Sequence, residues 1–155
     1  MTDIVSPEKR SRMMSRIKGK DSLPEILVRR TLFAMGFRYR LHRRDLPGTP
    51  DIAMPGRKIA IFVHGCFWHA HRGCQFAKTP STRTEFWTSK LRANVDRDQR
   101  AAEKLAEMGW RVLNVWECAT RRPGAADALA ESLQQWIDGD SRFGEISARS
   151  LAGEG

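Results

Sequence analysis

The sequence predicts an α/β fold in which a mixed β-sheet is flanked by helices. Helical apolar periodicity and short apolar strand patterns alternate along the chain in the order helix, hairpin, helix, strand, helix. Residues 58–63 (KIAIFV) and 110–116 (WRVLNVW) have the apolar content of buried strands. The 155 residues are enough for one domain with a buried core of its own.

The first half of the chain contains a helix and a β-hairpin. Residues 22–25 (SLPE) form a capping-box pattern that begins an amphipathic helix, and Gly36 is placed to end this helix. Residues 37–41 alternate between apolar and polar side chains like a strand. We then predict a hairpin whose arms are 51–54 and 58–63.

The second half begins with an irregular segment. Residues 64–82 mix Gly, His, Cys and Pro, so we expect no regular element there. A second capping-box pattern at 82–85 (TRTE) predicts the start of a long helix, which Gly109 is placed to end. The strand at 110–116 follows, and a last helix is predicted from about residue 123 to 137.

We divide the chain into three segments. Residues 1–20 are predicted to form a basic arm or short helix, with Ser6 and Pro7 placed at the helix start. Residues 21–140 are predicted to form a single domain, and the Gly-rich residues 141–155 are expected to be disordered.

The charge balance favours a polyanionic partner. The chain has 27 Lys and Arg residues against 18 Asp and Glu residues, a net charge of +9. Positive charge favours nucleic acids because each neutralised phosphate releases counterions, although a basic protein without a nucleic-acid role is the alternative. We find no membrane-spanning apolar run and no secretory signal, so we expect a cytoplasmic protein with reduced cysteines.

Three cysteines and one histidine predict a structural zinc site. These residues are Cys66, His71, Cys74 and Cys118. Three thiolates and one imidazole form a common closed tetrahedral set, which here would tie the irregular loop to the end of the last strand. His69 and His42 are alternative ligands, and in a simpler interpretation Cys118 is only a buried apolar thiol.

A group of acidic and histidine residues predicts phosphodiester hydrolysis. Asp51 begins the hairpin, as in the PD-(D/E)xK nuclease core, and would be a hard oxygen ligand for Mg²⁺. The second arm ends Ile61-Phe62-Val63-His64, with neither the acid nor the lysine of that pattern. The Val63 carbonyl is a candidate further ligand, and His64 and His69 are candidates to replace the lysine as a base. Glu25 is a candidate outer-shell acid that orients water.

Each of these residues also has a simpler interpretation. Asp51 fits the role of a turn or cap aspartate after Gly-x-Pro. His64 and His69 are also compatible with loop histidines that have no catalytic role, and the capping box alone accounts for Glu25.

Two aromatic pairs flank the same region. Phe67 and Trp68 lie in the loop with the zinc candidates, and Phe86 and Trp87 begin the next helix. Aromatic side chains that enter between base steps kink a duplex, and a mismatched pair is deformed more easily than a matched one. We therefore interpret Phe67, Trp68 and Trp87 as a DNA wedge and expect Phe86 in the core. In the alternative interpretation half of these rings are core residues.

Four segments resemble a known family. HGCFWHAH at 64–71, TRTEFW at 82–87, NVWEC at 114–118 and PGTPDI at 47–52 are similar to the very-short-patch repair (Vsr) endonucleases, and the likeness spans nearly the whole chain. The resemblance implies that residues 21–140 form a restriction-endonuclease-like (PD-(D/E)xK-type) domain. It also implies Mg²⁺-dependent nicking of one DNA strand on the 5′ side of the mismatched thymine in a T:G pair.

The resemblance assigns partners and roles as well. T:G pairs arise when 5-methylcytosine deaminates, which implies a functional link to a cytosine-5 DNA methyltransferase and to mismatch-repair proteins. Mg²⁺ is implied at Asp51 with the Val63 carbonyl, with His69 as general base and His64 and Glu25 in support. The residues implied to bind zinc are Cys66, His71, Cys74 and Cys118, and those implied to intercalate are Phe67, Trp68 and Trp87. A nick in one strand requires only a monomer.

Two other classes of protein fit part of these observations. A zinc-braced DNA-binding module would need only the cysteines, the basic surface and the aromatic residues, and would tolerate loss of Asp51. A restriction-type nuclease would use Asp51 but would cut matched DNA.

Overall fold

The fold is built on a five-stranded sheet whose strand order follows the chain. In this computed structural model the described residues are 22–72, 74, 77, 81–121 and 124–151. The strands are β1 (Arg40–Leu41), β2 (Ile52–Met54), β3 (Ile59–His64), β4 (Arg111–Trp116) and β5 (Phe143–Ile146). Strands β1, β2 and β3 pair antiparallel, whereas β3, β4 and β5 pair parallel. The predicted mixed sheet is confirmed.

Helices cover both faces of the sheet. They are α1 (Leu23–Ala34), α2 (Thr84–Glu107), α3 (Ala125–Asp138) and α4 (Ala148–Leu151), with a 3₁₀ turn at Glu117–Thr120. Val28 of α1 and Leu129 and Leu133 of α3 are fully buried in one core cluster, which also contains Ile61 of β3. Leu105 of α2 belongs to a second cluster with alanines of β2 and β3. Each fully buried Leu or Val contributes about 1.5–3 kcal/mol of hydrophobic stabilisation.

The first helix begins as predicted, but the long helix does not. Ser22 is the N-cap of α1, and its Oγ accepts a hydrogen bond from the Glu25 N–H at 3.4 Å. The predicted capping box at 82–85 is wrong, because the N-cap of α2 is Arg83, which has a left-handed backbone with φ +54°. Gly109, with φ +83°, follows the end of α2 as expected.

The prediction that the C-terminal segment is disordered from residue 141 is wrong, because residues 143–151 contain a strand and a short helix. Strand β5 pairs with β4 from Val112↔Phe143 to Val115↔Ile146, and Ile146 is buried. Backbone pairing orders this segment although it has few apolar side chains, and for that reason its sequence pattern resembled a tail. The folded domain therefore extends beyond residue 140, to residue 151. The predicted arm at 1–20, residues 122–123 at the predicted start of the last helix and residues 152–155 lie outside the described residues.

Within the described ranges, no helix combines the length and the apolar composition that a membrane span requires.

Candidate active site and metal centre

The pairing of three strands brings the candidate residues to one end of the sheet. Strands β2 and β3 are antiparallel, so Asp51, just before β2, lies beside the end of β3, and its Oδ2 accepts a hydrogen bond from the Val63 N–H at 2.7 Å. Strands β3 and β4 are parallel with His64 opposite Trp116. Cys66 and Cys118 therefore lie at the same edge of the sheet, each two residues beyond the end of its strand.

The predicted zinc ligands come together at this edge. Each of the residues Cys66, His71, Cys74 and Cys118 offers a ligand atom, and these atoms all lie within 4.8 Å of one another. The His71 Nδ1 atom is 3.5 Å from the Cys66 Sγ and 3.6 Å from the Cys118 Sγ. A sulfur and a nitrogen bound to one tetrahedral zinc are about 3.5 Å apart, given Zn–S of ~2.3 Å and Zn–N of ~2.0 Å. The donor set and its spacing therefore fit zinc.

Two backbone N–H groups donate hydrogen bonds to the thiol sulfurs. The Cys118 N–H donates to the Cys66 Sγ at 3.4 Å, and the Ala148 N–H donates to the Cys118 Sγ at 3.3 Å. The His71 ring stacks on Trp116, with ring centroids 4.0 Å apart. Burial raises the pKa of the Cys66 and Cys118 thiols, and a bound cation would reverse this effect by favouring the thiolates.

The two alternative zinc ligands lie in other groups. His42 lies with Glu25 and Asp51, and His69 lies with His64 and Asp98. The ligand atoms within each of these groups also lie within 4.8 Å of one another. Among the described residues there are therefore three separate clusters of potential ligands along one end of the sheet.

The cluster of Glu25, His42 and Asp51 contains two carboxylates. Glu25 is only 2% exposed, and its Oε2 lies 2.7 Å from the His42 Nε2 and 3.3 Å from an Arg29 guanidinium nitrogen. Burial raises the pKa of Asp51 to about 6; the Val63 N–H lowers it, and the nearby Glu25 charge raises it further. Two carboxylates in one recess offer hard oxygen ligands, which suit Mg²⁺.

The second cluster is a stacked histidine pair with an aspartate. The rings of His64 and His69 are parallel within 4°, with centroids 3.9 Å apart. The His69 Nδ1 lies 2.5 Å from an Asp98 carboxylate oxygen. If Nδ1 carries the proton, the Asp98 carboxylate fixes the tautomer and leaves Nε2 as a proton acceptor.

His64 is held in its neutral form. Burial, followed by the neighbouring His69, lowers the pKa of His64 to about 3. Its Nδ1 is buried and has no hydrogen-bond partner among the described residues. A neutral imidazole beside His69 avoids repulsion between two imidazolium charges.

Two residues of these clusters were missed by the catalytic assignments from the sequence. Asp98 carried a signal, because it continues the i, i+4, i+7 stripe begun by Leu91 and Val95, where an acidic residue is unexpected. The sequence indicates His42 only as an alternative zinc ligand, and its place after a two-residue strand has no pattern that points to Glu25.

The three predicted wedge residues form one aromatic cluster. The ring centroids of Phe67 and Trp68 are 5.0 Å apart, those of Phe67 and Trp87 are 5.4 Å apart, and those of Trp68 and Trp87 are 6.1 Å apart. The expectation that Phe86 lies in the core is wrong, because it is 46% exposed and packs under the Arg83 guanidinium. This cationic partner accounts for an exposed ring at the start of α2.

A cavity of about 810 Å³ adjoins the histidine pair. Its lining includes His64, His69 and Asp98, together with Glu145 and Arg149 from the C-terminal segment. The segment that was expected to be disordered therefore forms part of the wall beside the candidate active site.

A carboxylate pair and a histidine–aspartate pair lie at one end of the mixed sheet, and groups of these types can take part in hydrolysis. A family model described as DNA mismatch endonuclease Vsr matches residues 2–75. The chain is 41% identical over 153 residues to the DNA mismatch endonuclease Vsr of Escherichia coli (strain K12), with 97% of each chain covered.

Two further relatives are nicking enzymes. The chain is 49% identical over 133 residues to the type II nicking enzyme V.XorIIP of Xanthomonas oryzae pv. oryzae, covering 86% of this chain and 97% of the relative. It is 42% identical over 118 residues to the type II nicking enzyme V.NmeAIP of Neisseria meningitidis serogroup A, covering 76% and 84%. The chain belongs to the Vsr family of DNA mismatch endonucleases.

Proposed function

We propose that this protein nicks one strand of duplex DNA at a T:G mismatch, on the 5′ side of the mismatched thymine, by Mg²⁺-dependent phosphodiester hydrolysis. The nick would start very-short-patch repair of deaminated 5-methylcytosine. The observation that carries the proposal is the convergence of Asp51 with the His69–Asp98 pair at one end of the sheet. Membership of the Vsr family supports the same activity and DNA as the substrate.

Magnesium is proposed at the cluster of Glu25, His42 and Asp51. Asp51 would hold it through the carboxylate, with the Val63 carbonyl as a further oxygen ligand and Glu25 as an outer-shell acid. The buried Glu25 and the half-buried Asp51 support this assignment, because two negative charges in one recess are stabilised by a divalent cation. When bound, Mg²⁺ would neutralise charge on the phosphate that is attacked.

His69 is proposed as the general base. A water molecule would attack the phosphorus, and its proton would pass to the His69 Nε2. The bond to the leaving sugar oxygen would break, and that oxygen would take a proton from solvent water. The Asp98 carboxylate, 2.5 Å from Nδ1, would stabilise the resulting imidazolium. His64, neutral because of its burial, would support the ring of His69 by stacking.

Zinc is proposed in a structural role. The ligands would be Cys66, His71, Cys74 and Cys118, a closed set that leaves no position for a reacting water. The bound zinc would hold the loop between β3 and α2, which carries His69 and the aromatic pair.

Recognition of the mismatch is proposed to use the aromatic cluster. Phe67, Trp68 and Trp87 would enter between base steps, where the weaker stacking of a T:G pair lowers the cost of deformation. We also propose that the fold is restriction-endonuclease-like (PD-(D/E)xK-type), that the protein acts as a monomer, and that it has a functional link to a cytosine-5 DNA methyltransferase and mismatch-repair proteins.

The test is a cleavage assay with the zinc-loaded chain. Labelled duplexes with T:G or C:G at one position, in several sequence contexts, would be incubated with and without Mg²⁺. We expect a single nick 5′ of the mismatched thymine that requires Mg²⁺. Asp51→Ala should abolish the nick, and Asp45→Ala, at an exposed carboxylate, is the matched control.

Two outcomes would contradict the proposal. Equal cutting of the C:G duplex would indicate a restriction-type nuclease of the same fold. Tight mismatch binding without a nick in any context would indicate a recognition module, and it would remove the catalytic roles of Asp51 and His69.

A further inference from the structure

His42 holds an unusual position beside the carboxylate cluster. It directly follows β1 and has φ +49°, in the left-handed region that residues other than glycine rarely adopt. Its N–H donates to the Asp51 carbonyl oxygen at 3.0 Å. The backbone of His42 is therefore fixed next to Asp51, and the strained conformation is retained at the edge of the candidate site.

The side chain of His42 reaches a buried carboxylate. Its Nε2 lies 2.7 Å from the Glu25 Oε2, and the two side chains are 19% and 3% exposed. Arg29, one helical turn further along α1, is a second partner of the same oxygen at 3.3 Å. A glutamate has three rotatable side-chain bonds, so a short hydrogen bond at its tip restricts the direction of the carboxylate.

We propose that His42 is a positioning residue of the active site, whose Nε2–H donates to Glu25 and holds that carboxylate toward Asp51. This inference rests on the proposed role of the cluster in binding a divalent cation. A cation would then meet two carboxylates already oriented, and less ordering of side chains would accompany its binding. The expected consequence is on metal affinity, because the hydrogen bonds of His42 join it to Glu25 and Asp51, the two carboxylate residues of the proposed metal site.

Metal affinity is the property to measure, and it can be measured without DNA. Binding of Mn²⁺ to the zinc-loaded full chain would be followed by electron paramagnetic resonance. We expect His42→Ala to weaken Mn²⁺ binding about tenfold, the lower end of the effect of residues that orient metal ligands. His42→Gln, which keeps an N–H donor near the position of Nε2, should restore most of the affinity. Arg44→Ala, an exposed basic residue of the same loop, is the control and should not change it.

A second variant separates positioning from a purely structural role. In a Glu25→Gln background, His42→Ala should cause little further loss of Mn²⁺ affinity, because the partner through which it acts has already been changed. In the nicking assay, His42→Ala should raise the half-saturating Mg²⁺ concentration about tenfold and leave the rate at saturating Mg²⁺ within about threefold.

Three results would overturn the inference. Unchanged Mn²⁺ affinity in His42→Ala would remove the positioning role. If His42→Ala lowers Mn²⁺ affinity as much in the Glu25→Gln background as in the wild type, His42 binds the cation itself or acts through the fold. Equal losses of Mn²⁺ affinity in His42→Ala and His42→Gln would show that the N–H donor at this position does not orient Glu25. Failure of the wild-type chain to nick any duplex would contradict the proposed function, whereas the Mn²⁺ comparison would still decide the role of His42.

Discussion

Replacing Asp51 with asparagine is expected to stabilise the metal-free chain. The folded protein holds this carboxyl in a recess where burial raises its pKa from 3.8 to about 6. Folding therefore takes up a proton, and the ionised form is penalised. This penalty is absent below about pH 4, where the carboxyl is protonated in both states, and it is complete above about pH 6. Asparagine carries no charge and keeps an oxygen that can accept the Val63 hydrogen bond.

The size of the effect follows from the pKa difference. A shift from 3.8 to about 6 corresponds to about 3 kcal/mol at neutral pH. Asp51 keeps some contact with solvent, which screens part of the penalty. We therefore expect Asp51→Asn to raise the free energy of unfolding by about 1–3 kcal/mol near pH 7 and by almost nothing near pH 4.

The assay is urea unfolding of the zinc-loaded chain without Mg²⁺, followed by tryptophan fluorescence at both pH values. Asp45→Asn is the matched control, because the Arg43 hydrogen bond lowers the pKa of Asp45 and its neutralisation should give no gain. Adding Mg²⁺ should stabilise the wild type and leave Asp51→Asn unchanged. The reasoning would be refuted by an Asp51→Asn chain no more stable than wild type at pH 7, or by a gain of equal size at both pH values.

Three further predictions concern pH, the histidine pair and zinc. Protons and Mg²⁺ compete for Asp51, so the half-saturating Mg²⁺ concentration for nicking should rise about tenfold per unit of pH below about 6; a constant value would contradict this. Asp98→Asn should slow nicking at saturating Mg²⁺ by about 10²–10⁴, because His69 loses its tautomer restraint, whereas Asp96→Asn on the exposed face of α2 should not. Cys118→Ser should lower the zinc content measured by metal analysis and reduce stability by at least ~2 kcal/mol, and full zinc retention would exclude it as a ligand.

The sheet could be predicted from the sequence because its inner strands have strong local patterns. Apolar runs identified β3 and β4, and a turn signal identified the β2–β3 hairpin. Strand β5 was missed because its order comes from backbone pairing with β4, and among its side chains only Ile146 is buried. Pairing of that kind depends on distant residues and leaves little local signal.

The candidate site could be predicted where the residue type itself indicates the chemistry, as it does for cysteine and histidine as metal ligands. Cysteines and histidines in one loop with a distant Cys118 pointed to one cluster, and the structure brings the four residues together. Asp98 and His42 could not be paired with His69 and Glu25 in advance, because the contacts join residues 29 and 17 positions apart. Side-chain pairs at such separations are set by how elements pack, which local spacing does not reveal.

The meeting of Cys66 and Cys118 also bears on the order in which the protein matures. The two residues are 52 positions apart, and they meet only after β4 has paired with β3. A growing chain that has not yet reached residue 111 already contains Asp51, His64 and His69, but it lacks the strand that closes this end of the sheet. Ribosomal synthesis therefore delivers Asp51, His64 and His69 before the strand that completes the framework around them.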